Sequence, residues 1–186
     1  DFMEKNAIDI LGSNCSYIDI KNHDIFSDDK FSKNNSYFNI LLSQKAIFPH
    51  GTAFIRSNVI KKLKGYNENF YYSQDGELWL RALKNNYKLF VMSEFLYEYR
   101  LSPISGKAKF GHKEYNRIKN AMYSDTRKSL KTSDKPFGET LKIELSEFKS
   151  NKNDDTISDY WLNIAKLTIL KSRDKKYSFI CIKRSL

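Results

Sequence analysis

One carboxylate stands out by its position. In "YYSQDGELWLRALKNNYKL", residues 71–89, Asp75 lies two residues after Ser73, where Trp79, Ala82 and Leu83 begin to recur at helical spacing. A carboxylate placed there has two uses. Helix starts favour acidic residues because the unpaired N–H groups and the helix dipole stabilise negative charge. The same rigid position suits a general base, which must sit within hydrogen-bond reach of the proton it removes. Glu77 and Arg81, four residues apart on that helix, are expected to form a routine surface ion pair.

Other chemistries find less support. His23, His50 and His112 have no neighbouring Cys or carboxylate spacing that builds a metal cage. The spacing of serines and histidines picks out no nucleophile with its base. "GKAKFGHK", residues 106–113, has glycine spacing reminiscent of a phosphate-binding loop but lacks the Gly-Lys-Ser/Thr ending, and reads as a plain loop. "KKYSFICIKR" interleaves basic and aromatic residues, and an amphipathic helix with a solvated lysine face is expected there rather than a nucleic-acid surface. Cys15 and Cys181 are too few and too distant to suggest a disulfide framework, so reduced cytosolic thiols are expected.

The 186 residues are 40% hydrophobic and 15% aromatic with only seven glycines and three prolines, a globular composition with room for a substantial core. No apolar run reaches the ~18 residues needed to span a bilayer. Charge is uneven: residues 1–105 carry a net +1, and residues 106–186 carry +9. That field attracts anionic surfaces without choosing among them.

The elements that must position Asp75 follow from pattern. "AIDILGSNCSYIDI" reads as one or two strands bent at Gly-Ser, and residues 22–35 as a polar loop. "SYFNILLSQKA" suggests a short buried helix. "IFPHGTAFIR" is extended chain turned by Pro49 and Gly51. Ser57 is expected to cap the helix that Gly65 ends. "YKLFVMS" and "EFLYEYR" read as successive strands, so residues 1–105 fit an α/β layer architecture. From about residue 112 the pattern turns helical, with Tyr160, Trp161, Ile164, Leu167 and Leu170 on one stripe.

Taken in order, the segments between residues 49 and 100 resemble the second half of the catalytic domain of family 2 glycosyltransferases of the GT-A fold, a Rossmann-like nucleotide-diphospho-sugar transferase architecture. "HGTAFIR" is similar to that family's small-residue segment ending in arginine. "KKLKGYNENF" is similar to its helix and glycine-aromatic turn, "QDGELWLR" to its Glu-Asp-x-x-Leu-x-x-Arg signature, and "FLYEYR" to its strand ending in Tyr-Arg. "IDILGSN" resembles the strand that follows the family's metal-binding motif, which extends the likeness to about residues 5–105.

The resemblance implies a division into 1–105, the acceptor-side half of a glycosyltransferase domain, and 106–186, a basic helical C-terminal extension. It implies that Asp75 is the general base of an inverting sugar transfer. His50 and Gly51 would line the acceptor side of the cleft, Trp79 would form core or pocket wall, and Arg100 would approach the donor diphosphate. Gln74 stands where the family has glutamate, and Ser102 where a histidine often follows. The sequence holds no Asp-x-Asp, so a nucleotide-binding half and the ligands of a divalent metal (Mg²⁺ or Mn²⁺) are expected outside this chain, which alone would be inactive. The implied partners are a nucleotide-sugar donor and a surface-polysaccharide or lipid-linked glycan acceptor, with no nucleic acid. The implied location is cytoplasmic, with the basic extension either on an anionic membrane face or packed on the catalytic domain or on another subunit. The rival expectation is a non-catalytic basic module that binds nucleic acid or a protein.

Overall fold

The computed structural model describes residues 1–29, 46–68, 73–104, 156–172 and 174–186, together with Phe31, Tyr37, Leu41, Phe70, Asn116 and Asn120. A short helix, α1 (Phe2–Lys5), leads into β1 (Ile10–Ile18), which is buried along most of its length and forms the spine of the fold. β2 (Asp24–Asp28) and β3 (Phe54–Ile55) both pair with it antiparallel, β3 at its first two residues and β2 at its last four. β4 (Leu89–Arg100) runs parallel to β1 along its whole length. A parallel pair needs a crossover connection. Here it includes a 3₁₀ turn (His50–Thr52) and two helices, α2 (Ser57–Lys62) and α3 (Gln74–Lys84). The architecture is mixed α/β around a four-stranded sheet.

"AIDILGSNCSYIDI" forms one strand, the first of the two expected alternatives, because Gly-Ser shifts its pairing instead of ending it, while several other elements differ from expectation. The register against β4 slips around Ser13 and Asn14, and the Asn14 side chain donates to the Ser93 carbonyl at 2.9 Å. Residues 24–28, expected as loop, form an edge strand whose Ile25 faces inward. Residues 89–100 are a single strand, since β1 supplies pairing partners throughout. Ser57 is the first helical residue of α2 and not its cap; Arg56 holds the cap position without a side-chain bond. Gly65 does take the left-handed conformation after α2, with φ at 72°. The expected helix at 36–46 lies mostly outside the described residues, as does the 106–113 loop.

One core lies beneath the sheet, built from Ile10, Phe48, Val59, Leu78, Trp79, Leu80 and Val91 with their neighbours. Glu77 is fully buried at its edge and is held by Arg81, whose Nε and Nη2 contact the two carboxylate oxygens at 2.6 and 2.8 Å. The expected surface pair is therefore an internal one. Arg81 also donates to the carbonyls of Leu63 and Gly65, so it ties the end of α2 to α3.

A second core joins the C-terminal helices to the far end of β1. Helix α4 (Thr156–Leu167), a π-helical turn (Thr168–Ser172) and helix α5 (Lys175–Ser185) pack on Ile20, Ile25, Phe26 and Leu101. The Tyr160 hydroxyl accepts from the Ile20 N–H and donates to the Leu101 carbonyl. Tyr177 donates to the buried carboxylate of Asp19, which also accepts the backbone N–H groups of Lys21 and His23. Cys15 sits in the first core and Cys181 in the second, with no disulfide between them.

Two outcomes follow from these contacts. Arg81→Ala should destabilise the protein by about 3–5 kcal/mol in urea denaturation, because it leaves the Glu77 carboxylate buried without its partner; a cost below ~1 kcal/mol would mean the pair is not buried in solution. Burial, with a smaller push from Asp19, holds the Tyr160 phenol up to about 12, above its ordinary 10.0. A raised acid keeps its proton longer when folded, so this stability is intact below pH ~10 and is lost as the pH rises from there toward 12. Urea midpoints measured across that interval should fall in the native protein and fall less in Tyr160→Phe.

Candidate functional site

Asp75 is the second residue of α3 and is partly buried. Its Oδ1 accepts the Gly76 N–H at 2.8 Å, while Oδ2 has no hydrogen-bond partner among the described residues. Ser73, the residue before the helix, is left-handed at φ 61° and makes no side-chain cap. Asp75, not Ser73, thus satisfies one of the free first-turn N–H groups, and does so with one oxygen.

Four residues on, on the same helix face, Trp79 is buried. Its ring tilts against Phe48 at 5.1 Å and lies 6.3 Å from the His50 ring. Phe48 in turn lies close against Gly12, where a Cβ would come within 2.3 Å of the ring. This column, from β1 through Phe48 to Trp79, fixes how α3 lies on the sheet. The Trp79 Nε1 is buried with no hydrogen-bond partner among the described residues.

The His50–Thr52 turn is pinned from below. The Thr52 hydroxyl donates to the Pro49 carbonyl at 2.8 Å and accepts the Ser13 N–H at 3.1 Å. His50 is thereby held at the surface, where its Nε2 meets the Tyr66 hydroxyl at 2.7 Å. Next to it, Gly51 lies under the Tyr97 ring so closely that a Cβ would overlap it. Only glycine lets β4 and the turn approach to this distance.

Two tyrosines, Tyr66 and Tyr99, lie within electrostatic reach of Asp75 at the start of α3. Burial raises the Tyr66 phenol above its ordinary value and the negative charge of Asp75 adds to it. Tyr99 is raised in the same direction, first by burial, then by Tyr97 and Cys15, with a further push from Asp75. Both phenols therefore keep their protons at neutral pH. The chemical inventory is one carboxylate whose Oδ2 has no hydrogen-bond partner among the described residues, an imidazole bonded to a phenol, and neutral aromatic hydroxyls, all at a partly exposed surface.

The residues named from sequence separate here. His50, Gly51, Asp75 and Trp79 come together, with Trp79 as a buried floor and no open stacking face. Gln74 is the partly buried first residue of α3. Arg100 is three residues past Tyr97 on β4, and its Nη1 donates at 2.8 Å to the Asp19 carbonyl beside the C-terminal helices. The structure gives it a bracing partner at that end of the strand. Tyr66, Tyr97 and Tyr99 were not singled out from sequence; the alternation of tyrosines in "FLYEYR", which puts two of them on one strand face, was the available signal. Among the described residues, no three His, Cys, Asp or Glu side chains converge to hold a metal ion.

Among curated proteins, the chain is similar to the uncharacterized glycosyltransferase MJ1057 of Methanocaldococcus jannaschii, 34% identical over 106 residues that make up 54% of this chain and 34% of that protein. It is also similar to the O-antigen biosynthesis glycosyltransferase WbnJ of Escherichia coli, 31% identical over 102 residues, or 54% of this chain and 39% of that protein. No family model matches, and no solved structure matches. The chain thus spans little more than a third of the length of these relatives, and the similarity supports a relationship to glycosyltransferases.

Close packing of Gly51 on Tyr97 has a measurable consequence. Gly51→Ala should cost roughly 1–3 kcal/mol in stability by overpacking, and most of that cost should vanish in a Tyr97→Ala background. A double-mutant cycle with purely additive effects would mean the ring does not lie on the glycine.

Proposed function

We propose that the surface around Asp75 is the acceptor side of a glycosyl-transfer site, in an enzyme of the family 2, GT-A type. The reading rests on one observation above the others: a carboxylate fixed at the start of α3, whose Oδ2 has no hydrogen-bond partner among the described residues, lies within electrostatic reach of the Tyr66 and Tyr99 phenols, and Tyr66 is bonded to His50. Similarity to proteins named glycosyltransferases supports the reaction class. The printed name of the E. coli relative, an O-antigen biosynthesis enzyme, favours a surface-polysaccharide or lipid-linked glycan as acceptor.

In this reading an acceptor hydroxyl donates to Asp75 Oδ2. A sugar hydroxyl is a weak nucleophile at neutral pH, so loss of its proton to the carboxylate must accompany attack on the anomeric carbon. The new C–O bond forms on the face opposite the nucleoside diphosphate, the bond to the diphosphate oxygen breaks, and configuration inverts. Asp75 leaves the step protonated and passes its proton to solvent. His50 and Tyr66, locked to each other, hold the acceptor's remaining hydroxyls so that one points at Asp75. Neutral Tyr66 and Tyr99 can donate hydrogen bonds without adding negative charge beside the base. The donor base, the diphosphate and the divalent metal implied by the family resemblance are assigned to residues other than those described, and the whole activity belongs to the longer arrangement its relatives share.

The test is Asp75→Asn in the native-length protein, which keeps the shape of the side chain and removes its basicity. We expect kcat to fall roughly 10²–10⁴-fold, with little change in the donor KM and an unchanged urea midpoint. Turnover near that of the native protein would sink the assignment, and a collapsed midpoint with restored activity in Asp75→Glu would mark the residue as structural.

A further inference from the structure

Helix α5 faces the wrong way for its composition. Its inward stripe is Tyr177, Ser178, Cys181 and Ser185, all buried, two of them serines. Phe179, Ile180 and Ile182 are exposed instead, Phe179 at 59%. The preceding π-helical turn adds Leu170, 75% exposed, and Ile169. A helix that merely docked on the sheet would bury these groups and present serines to water.

The charges on this face have one sign. From Lys175 to the end of the described chain there is no acidic residue, and Lys175, Lys176 and Lys183 lie on the outward side with Phe179 and Ile180. Lys183 Nζ sits 4.9 Å from the Phe179 ring centre, so cation and apolar group share one patch. Between Thr156 and Leu186 the sequence carries seven Lys/Arg against two Asp. Asp174, one of those two, is occupied as the α5 cap, accepting the Tyr177 N–H at 2.9 Å. Among the described residues, no helix is long and apolar enough to cross a membrane.

We propose that the outward face of α5, with the turn before it, is a docking surface for an anionic lipid bilayer, on which the helix lies in the interfacial plane. The two halves of the patch match the two layers such a surface offers. Lysines meet anionic headgroups, and Phe179 and Ile180, with Leu170 of the turn, reach the acyl boundary. A polynucleotide would satisfy the lysines but has no use for aliphatic side chains. A second copy would satisfy the apolar groups but would set lysine against lysine. An anionic bilayer uses both. The inward face keeps the surface rigid, since Tyr177 is bonded to Asp19 and stacked on His23 at 3.4 Å. This inference stands apart from the acceptor-site reading and does not depend on it.

The experiment is flotation of the protein with vesicles of phosphatidylcholine alone and of phosphatidylcholine with 30% phosphatidylglycerol (roughly physiological negative surface charge). Binding is expected to the mixed vesicles and to be much weaker on the neutral ones. Phe179→Ser with Ile180→Ser should weaken it roughly tenfold or more, with an unchanged urea midpoint because both side chains are already exposed. Lys175→Glu with Lys176→Glu should weaken it and flatten its salt dependence. Absence of binding to the mixed vesicles overturns the proposal. So does binding that salt and the lysine variants abolish but the Phe179/Ile180 variant leaves intact, which would be bulk charge attraction. Dimerisation of the native protein by sedimentation velocity, lost in the Phe179/Ile180 variant, would assign the face to a second copy and overturn it as well.

Discussion

The buried carboxylate of Glu77 is the constraint around which the first half of the molecule is arranged. A charge taken out of water needs a partner of opposite sign with its hydrogen bonds filled. Arg81, one turn along the same helix, fills both oxygens. Its remaining donors then need acceptors, and they find them in the carbonyls of Leu63 and Gly65. Because Lys64 and Gly65 both turn left-handed, the chain reverses and the next residue, Tyr66, comes back toward His50. The placement of a phenol near Asp75 is thus a downstream result of an ion pair that touches neither.

The rest of the site depends on close approaches that side chains would block. Gly12 admits the Phe48 ring against the central strand, and Phe48 sets the depth of Trp79. Gly51 admits Tyr97 against the turn that carries His50. Each contact is apolar and individually modest, but together they fix α3, the turn and β4 to one another through well-packed rings. At the opposite end of β1, Asp19 plays the corresponding part for the C-terminal helices. Its carboxylate gathers Tyr177 and two backbone N–H groups, and its carbonyl accepts Arg100.

How much of this could be read from residue order varies with the kind of interaction. The helix bearing Asp75 was legible because Trp79, Ala82 and Leu83 repeat at its period, and the left-handed Gly65 because glycine adopts that conformation at no steric cost, whereas the left-handed Lys64 before it carried no such signal. Residues 24–28 were not, since "DIFSD" is polar on one face and becomes a strand only because β1 offers an edge to pair with. The spacing of Glu77 and Arg81 was visible, but their burial was not, because i, i+4 pairs on the surface and in the core have the same sequence pattern. The tyrosines around Asp75 went unmarked for a related reason. A chain with twelve tyrosines does not say which of them meet.

The sequence by itself determined the local things: the helix that begins at Asp75, the turn around Pro49 and Gly51, the basic charge of the C-terminal third, and a succession of segments resembling a sugar transferase. These follow from backbone preference, periodicity and composition, which act over a few residues. Only the tertiary structure decided that His50, Tyr66, Asp75, Tyr97 and Tyr99 share one surface, that Trp79 is floor and not platform, that Arg100 braces the far end of its strand, and that α5 turns its phenylalanine and isoleucines outward. Those outcomes rest on contacts between residues tens of positions apart. Such contacts exist only once the parallel pairing of β1 with β4 and the burial of Glu77 have brought the segments together.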